Sequence, residues 1–377
     1  MFGSISTLLK KKFEFHKPLK REYIIIEKSN LKEFLSIIKK NKVYLVNFNN
    51  SINFYVLIRL IIKLKKINQL NYFLESIILS NPKIILTAID SNPNFYKLKK
   101  YFPEKIFISV QNGIRTDLSF EKKNENLKSD FIFCNGISDV KFFKSRIKSK
   151  IIPFGTIKNN SVNNKIKTKK KCLSYISVYR DIDVNKKKIN FLGKFNFVNW
   201  GEYIESEKLL VRSLYYYCQK NKIRFYIVGC NYNYLKEKKW YEKVIGSNKI
   251  NLIPRSSSTS SYNFLKKSKY IVSMDSTLGY EFLSRGSRII FFSRKIKKTK
   301  KLTEICNFGA PYNKKKKSFF FSNEINDKEI ERLLKNLRNH SKKSWLKKIN
   351  KIKNQLMLYN FNNTIFRREI LKINKFY

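Results

Sequence analysis

The sequence is poor in the residues on which much enzyme chemistry rests. Its 377 residues include two histidines, His16 and His340, which argues against a histidine-centred triad and against a multi-histidine metal site. Five cysteines, Cys134, Cys172, Cys218, Cys230 and Cys306, form no CxxC pair. Neither a disulfide framework nor a zinc site is expected, and with no secretory signal read at the start the compartment reads as reducing cytosol. Acid is scarce as well, with 27 Asp and Glu against 80 Lys and Arg, a formal charge of +53 and a pI near 10.1. Long apolar runs are missing too. The most hydrophobic stretch, 52–64, is interrupted by Arg59 and Lys63 and falls short of the roughly 20 residues that a membrane span needs.

Apolar and aromatic content is plentiful: hydrophobic residues make up 42% and aromatics 15%, enough to exclude disorder and build a real core. The length suggests two domains. The basic excess fits a polyanionic partner, nucleic acid or an anionic membrane surface. It equally fits A- and T-rich codons, since the lysines come with abundant Ile and Asn. The runs Lys167–Lys171, Lys297–Lys301 and Lys314–Lys317 lie between apolar segments and read as solvated loops. The basic stretch 1–21 reads either as a frayed terminus or as a segment resting on a membrane surface.

Short β-rich runs alternate with longer helical periodicity from about residue 22, the pattern of parallel sheets flanked by helices. In the first half, strands are predicted at 23–26, 43–48, 84–89, 106–110, 131–134 and 151–154, with helices near 31–40, 52–80, 93–101 and 137–147. In the second, strands are predicted at 172–178, 223–228, 250–253, 270–273 and 288–292, with helices at 203–221, 233–245, 260–267 and 276–285. The expected organisation is an α/β chain of two Rossmann-like doubly wound domains, 1–157 and 172–325, joined by a linker at 158–171 and followed by a helical tail, 326–377. Strand C-termini of two such domains are expected to face a central cleft where ligand binds.

The most informative stretch is Tyr270-Ile-Val-Ser-Met-Asp-Ser-Thr-Leu-Gly-Tyr-Glu-Phe-Leu-Ser-Arg-Gly-Ser-Arg-Ile-Ile-Phe-Phe-Ser293, which reads strand, tight turn, helix, glycine stop, strand. Asp275 or Ser276 can cap the helix, and Gly286 suits its left-handed end. Ser276, Thr277 and the small Gly279 in the first turn would let a diphosphate approach free amides at the positive end of the helix dipole. Glu281 lies too far in to complete a capping box. It reads either as an acceptor for ribose hydroxyls or as an i,i+4 partner of Arg285.

Other polar residues follow strand ends. Ile106-Phe-Ile-Ser-Val-Gln-Asn-Gly-Ile-Arg115 brings Gln111, Asn112, Gly113 and Arg115 to a loop that serves either a ligand or an ordinary strand-to-helix turn. Arg180 and Arg255 each come just after a strand and suit bidentate capture of phosphate, though in so basic a chain either reads also as surface charge. Asp90, closing the run Leu86-Thr-Ala-Ile-Asp90, is a candidate general base for an acceptor hydroxyl and also an ordinary turn-former before Asn92-Pro93. Asp117 and Asp181 are weaker rivals.

Together, Asp275-Ser-Thr-Leu-Gly-Tyr-Glu281 with Arg285-Gly286, Pro254-Arg255 and Ser261-Tyr262 resemble the bacterial surface carbohydrate (polysaccharide) biosynthesis transferases. These are GT-B-like proteins distantly akin to CDP-glycerol glycerophosphotransferases and capsule transferases. Val110–Arg115, Tyr175–Arg180, Ile227-Val-Gly229, the helix from Glu207 to Cys218 and Phe308-Gly-Ala-Pro311 agree, so the similarity spans roughly residues 80–350. The resemblance implies a GT-B glycosyltransferase that moves a sugar from a nucleotide-activated donor to a lipid-linked or oligosaccharide acceptor of a surface polysaccharide. The donor would meet Arg180, Gly229, Arg255, Asp275, Ser276, Thr277, Gly279 and Glu281; the acceptor would meet Gln111, Asn112 and Gly113, with Asp90 and Arg115 in catalysis. It implies no metal and no cofactor beyond the donor, and a cytoplasmic protein peripheral to the inner membrane face. The rivals are a CDP-glycerol or ribitol phosphotransferase, a nucleotide-sugar epimerase and a nucleic-acid binder, the last disfavoured because no recognition motif is present.

Overall fold

The computed structural model describes every residue except 1–10, 116–125, 164–169, 181–188, 191–196, 199, 275, 294–307, 310–311, 314 and 377. The chain packs as two units, one of Met1–Gly113, Phe120–Ser161 and Leu358–Tyr377, the other of Ile114–Ser119 and Val162–Met357.

The first unit is built on six strands: β1 Tyr23–Ile26, β2 Val43–Val46, β3 Ile84–Thr87, β4 Ile106–Val110, β5 Lys128–Cys134 and β6 Lys148–Pro153. They lie in the order β2-β1-β3-β4-β5-β6, every neighbouring pair parallel. The run Tyr-Ile-Ile-Ile of β1 is buried on both faces, as a central parallel strand demands. Between β2 and β3 the expected single helix is two, α1 Phe54–Ile62 and α2 Gln69–Ser80. The break has a local cause. Leu64 takes a left-handed φ of 51°, and the Asn68 side chain restarts the helix by accepting from Asn71 N at 2.9 Å.

The second unit also carries six parallel strands: β7 Lys170–Ile176, β8 Arg224–Val228, β9 Leu252–Ile253, β10 Ser268–Ser273, β11 Ile289–Phe292 and β12 Phe321–Ser322. Their order is β9-β8-β7-β10-β11-β12, the doubly wound dinucleotide-fold order 3-2-1-4-5-6. Its helices are α3 Trp200–Lys220, α4 Tyr234–Ile245, α5 Ser260–Leu265 and α6 Thr277–Ser284. Then come α7 Asp327–Asn339 and α8 Lys342–Leu356, and last α9 Thr364–Phe376.

The segment read as a tail is divided by its buried apolar positions. Leu333, Leu337 and Trp345, on α7 and α8, join the second unit's core. Phe366, Ile370 and Ile373 of α9 join the first, where the Phe366 ring sits 4.7 Å from that of Phe133. An amphipathic helix goes where its apolar stripe is covered, whatever its place in the chain.

Candidate functional site

Because all strands of the second sheet run parallel, the loops after β7, β8, β9 and β10 share one edge. In a doubly wound sheet of this order the connections after β7 and β10 run to opposite faces, and the general rule puts ligand outside the carboxyl ends at that switch point. Arg180 follows β7, Gly229 follows β8, Arg255 follows β9, and Ser276 and Thr277 follow β10. Five residues separated by nearly a hundred positions thus belong to one edge. Asp275 lies outside the described residues, as do Asp117 and Asp181.

Ser276 is the N-cap of α6, with extended backbone (φ −76°, ψ 129°), and its hydroxyl makes no capping bond. Ser276, Thr277 and Leu278 are partly exposed, so the first-turn amides lie near solvent. The far end of α6 closes as the sequence predicts. Gly286, at φ 71°, donates to Leu283 O at 2.9 Å, and Ser287 N donates to Phe282 O at 3.1 Å, the paired bonds of a left-handed helix stop.

Gly279 is also required for packing. It is buried, and a Cβ built on it would fall 2.7 Å from Ser273 Cβ and 3.0 Å from Phe291 Cε1. Its smallness lets α6 lie against β10 and β11, a helix-to-sheet requirement independent of any diphosphate.

Glu281 is buried, and its Oε2 accepts a short hydrogen bond from the Tyr262 hydroxyl on α5. Arg285 is buried too, donating through Nη2 to Val162 O at 2.9 Å. The family-like segment at Phe308-Gly309 is tied to the same helix, with Gly309 N donating to the Tyr280 hydroxyl at 3.0 Å.

Sequence reasoning missed the polar network beneath these loops. Glu237 of α4 and Glu207 of α3 are both buried. Glu237 Oε1 accepts from the Ser177 hydroxyl and from Cys230 N at 3.1 Å, while its Oε2 accepts from Asn231 N at 3.1 Å. Glu207 Oε1 accepts from Tyr241 Oη at 2.6 Å, from Tyr175 Oη at 2.9 Å and from Val178 N at 3.2 Å. Tyr241 also reaches Ser177 Oγ at 2.8 Å, joining the two carboxylates.

These bonds pin the loops after β7 and β8. Arg255 leans on the second of them, its Nη1 donating to Cys230 O at 3.1 Å and its guanidinium lying 4.9 Å from the Tyr232 ring centre. Burial, with the Glu237 charge beside it, pushes the Cys230 thiol up to about 12. Burial and the Glu207 carboxylate push the Tyr241 hydroxyl well above its ordinary value. Gly229 is pressed into this network: a Cβ there would lie 3.2 Å from Glu237 Oε2.

In the first unit the predicted acceptor residues converge on one another at the ends of β3, β4 and β5. Asp90 is fully buried and its Oδ1 accepts from Asn112 N at 3.0 Å, which makes it the anchor of that loop. Gln111, expected to point at ligand, is buried instead. Its Nε2 donates to Gly113 O at 2.8 Å and its Oε1 accepts from Asn135 N at 2.8 Å, since the two backbone groups at these strand ends lack ladder partners. Asn112 is the exposed member, donating to Ser29 Oγ at 3.0 Å and accepting from Asn30 Nδ2 at 3.1 Å. Arg115, two residues beyond the first unit's Gly113, is counted with the second unit and is partly exposed.

A residue with no sequence signal stands near this edge. Glu27, just after β1, is buried with a left-handed φ of 70°, a conformation that non-glycine residues rarely hold without cause. Burial raises its carboxyl pKa, against the opposing pull of Asn49 and Lys11. Among the described residues no three His, Cys, Asp or Glu side chains gather where they could hold one metal ion.

Residues 108–374 match the profile of a family described by its role in O-antigen biosynthesis. No curated protein sequence matches the chain. In fold it is similar to a variant of the wall teichoic acid polymerase TagF, with a TM-score of 0.54, 12% identity and coverage of 95% of this chain and 90% of that one. MnaA of S. aureus in complex with UDP gives a TM-score of 0.51 at 11% identity, over 98% of this chain and 96% of that one. A Listeria monocytogenes structure described as a UDP-N-acetylglucosamine 2-epimerase gives 0.52 at 14%, over 94% and 96%. Identities this low speak for the fold alone, and the fold they share is of the GT-B type with two parallel sheets.

Proposed function

The chain belongs to the O-antigen biosynthesis family, and on that premise we propose that it is a glycosyltransferase that moves a sugar from a nucleotide diphosphate donor to a surface-polysaccharide acceptor. The carrying observation is the second sheet's carboxyl edge, where Arg180, Arg255 and the partly exposed first turn of α6 come from three separate strand ends. Amides at a helix start with two guanidinium groups form a site for a diphosphate, and they stabilise the charge it gains on departure. Ser276 and Thr277 supply hydroxyls beside those amides, and Glu281, oriented by Tyr262, is the proposed ribose contact. The UDP bound to MnaA and the CDPG soaked into TagF are nucleotide ligands of proteins with this fold, which supports the reading.

A histidine-dependent phosphotransfer is less well served. The one histidine of the second unit, His340, follows α7, its backbone carbonyl accepting from Arg288 just before β11 at 2.9 Å, so it lies toward the amino edge of the sheet. The acceptor is assigned to the first unit, through Asn112, with Asp90 holding that loop.

A thermal-shift screen of nucleotides and nucleotide sugars tests the proposal. A ligand at about one hundred times its Kd stabilises by roughly 2.7 kcal/mol, so one class of UDP, GDP, CMP or CDP compound should raise the melting temperature. That rise should vanish in Arg180→Ala and weaken in Glu281→Ala. Indifference to every nucleotide together with salt-sensitive DNA binding would overturn it.

A further inference from the structure

We infer that the outward face of α1 docks the protein on an anionic phospholipid bilayer. The helix Phe-Tyr-Val-Leu-Ile-Arg-Leu-Ile-Ile buries Val56 and Leu60 against the body, yet Phe54, Tyr55, Ile58, Ile61 and Ile62 face solvent, Ile62 at 74% exposure, followed by Leu64 at 94%. A helix at a water-facing surface normally turns polar residues outward; this one is apolar on both faces.

The exposed face is held in place rather than frayed. Asn53 Oδ1 caps Val56 N at 3.3 Å, and the buried Glu75 of α2 accepts from Arg59 Nε at 3.0 Å and from Lys63 Nζ at 2.6 Å. Leu64 closes the helix in the left-handed position usual for glycine, its N donating to Ile61 O at 2.9 Å while Lys65 N donates to Leu60 O at 2.9 Å. A leucine there is strained and wholly wet, so water offers it no return.

The charge around this face selects the occupant. Lys63, Lys65 and Lys66 are exposed directly after the helix. Exposed Phe15 lies 5.6 Å from Phe54, and its segment carries exposed Lys12, Lys17 and Lys20. No Asp or Glu occurs anywhere in 34–74. An apolar face rimmed by cations suits acyl chains below a layer of phosphate headgroups. The same rim repels itself in a symmetric pair of copies. No helix among the described residues is long and apolar enough to cross a membrane, so the contact is a surface one.

Docking rests on this surface alone; its corollary, that a lipid-linked acceptor reaches the first unit from the bilayer, rests on the proposed sugar transfer. The test is co-sedimentation of the full chain with vesicles of phosphatidylcholine mixed with phosphatidylglycerol, and of phosphatidylcholine alone. The wild type should pellet with the mixed vesicles and far less with the neutral ones. Ile61→Ser with Ile62→Ser and Leu64→Ser should cut partitioning at least roughly tenfold, and Lys65→Glu with Lys66→Glu should abolish the preference for anionic lipid. The triple variant should retain the wild-type melting temperature and nucleotide response, since it alters solvent-facing positions only. Equal pelleting of the triple variant, no pelleting of the wild type, or a self-associated species that the triple variant dissolves would each overturn the inference. Loss of the nucleotide response in the wild type, with vesicle binding intact, would sink the donor assignment and leave the docking standing.

Discussion

Glu237→Gln gives the sharpest test of how the candidate donor edge is held. The carboxylate serves three donors, the Ser177 hydroxyl, Cys230 N and Asn231 N, from a fully buried position. A carboxamide keeps one acceptor oxygen and presents an NH2 where the other stood. If the oxygen stays on the Ser177 and Cys230 side, the amide faces Asn231 N–H, donor against donor; flipped, it fails the other two. At least one buried N–H therefore loses a charge-assisted bond, worth about 1.5–3 kcal/mol. The expected loss of stability is about 2–3 kcal/mol, or roughly 5–10 °C for a unit of this size.

The damage should also reach function and chemistry nearby. Cys230 O is the acceptor for Arg255, so the guanidinium loses its fixed position when the loop shifts, and nucleotide affinity should fall roughly tenfold. The Cys230 thiol, pushed up to about 12 by burial and then by the Glu237 charge, should ionise more readily in the variant and react faster with iodoacetamide at mildly alkaline pH. Urea denaturation, calorimetry with the nucleotide found in the screen, and timed alkylation measure the three effects. A variant with unchanged melting, affinity and alkylation would refute the role assigned to this carboxylate.

Gly279→Ala should destabilise by about 2 kcal/mol, because overpacking against Ser273 and Phe291 at the high end of about 1–3 kcal/mol exceeds the ~1 kcal/mol helix gain of alanine. Adding Ser273→Gly should restore much of the loss in the same denaturation assay; an unaltered Gly279→Ala protein would refute the packing role of this glycine. Glu75 has its carboxyl pKa lowered from 4.5: burial alone would raise it, but the hydrogen bonds and charges of Lys63 and Arg59 outweigh burial. Its folded pKa lies below the unfolded one, so its contribution is present above about pH 4.5 and fades as pH falls below that. Glu75→Gln should cost only about 1–2 kcal/mol at neutral pH, since its cations are more than a third exposed, and should flatten the acid limb of a stability–pH curve.

The fold was legible where burial writes itself into composition. Ile84–Thr87 and Ile289–Phe292 are short apolar runs because parallel strands are covered on both faces, and each was found within two residues of its ends. Phe321–Ser322 escaped because a two-residue edge strand inside an aromatic run has no period of its own. The loops after the strands were found for the same reason as the strands. What their side chains do was harder to read, as Gln111 shows: an amide after a strand end serves ligand or backbone equally well, and here the unpaired strand ends claimed it.

The buried acids were illegible for a different reason, and it bears on the charge. Glu237 sits between Lys236 and Lys238 and reads as part of a solvated helix face, yet it is fully buried. It is one of ten acids buried among the described residues, Glu27, Glu33, Glu75, Asp90, Asp139, Glu207, Glu237, Glu281, Glu329 and Glu369, whereas Arg285 is the single buried cation there. Codon bias can multiply lysines, but it does not choose which of the chain's 27 acids go inside. Buried carboxylates persist only when several partners satisfy them: Glu207 and Glu237 each accept from three donors, and Glu75 accepts from Arg59 and Lys63 with Lys65 paired to it at 3.6 Å. Drawing so many acids into interior networks strips negative charge from the surface and leaves it more uniformly positive than the formal sum implies. Such a surface attracts diphosphate donors and anionic lipid from a distance, an attraction that rising salt should weaken for both.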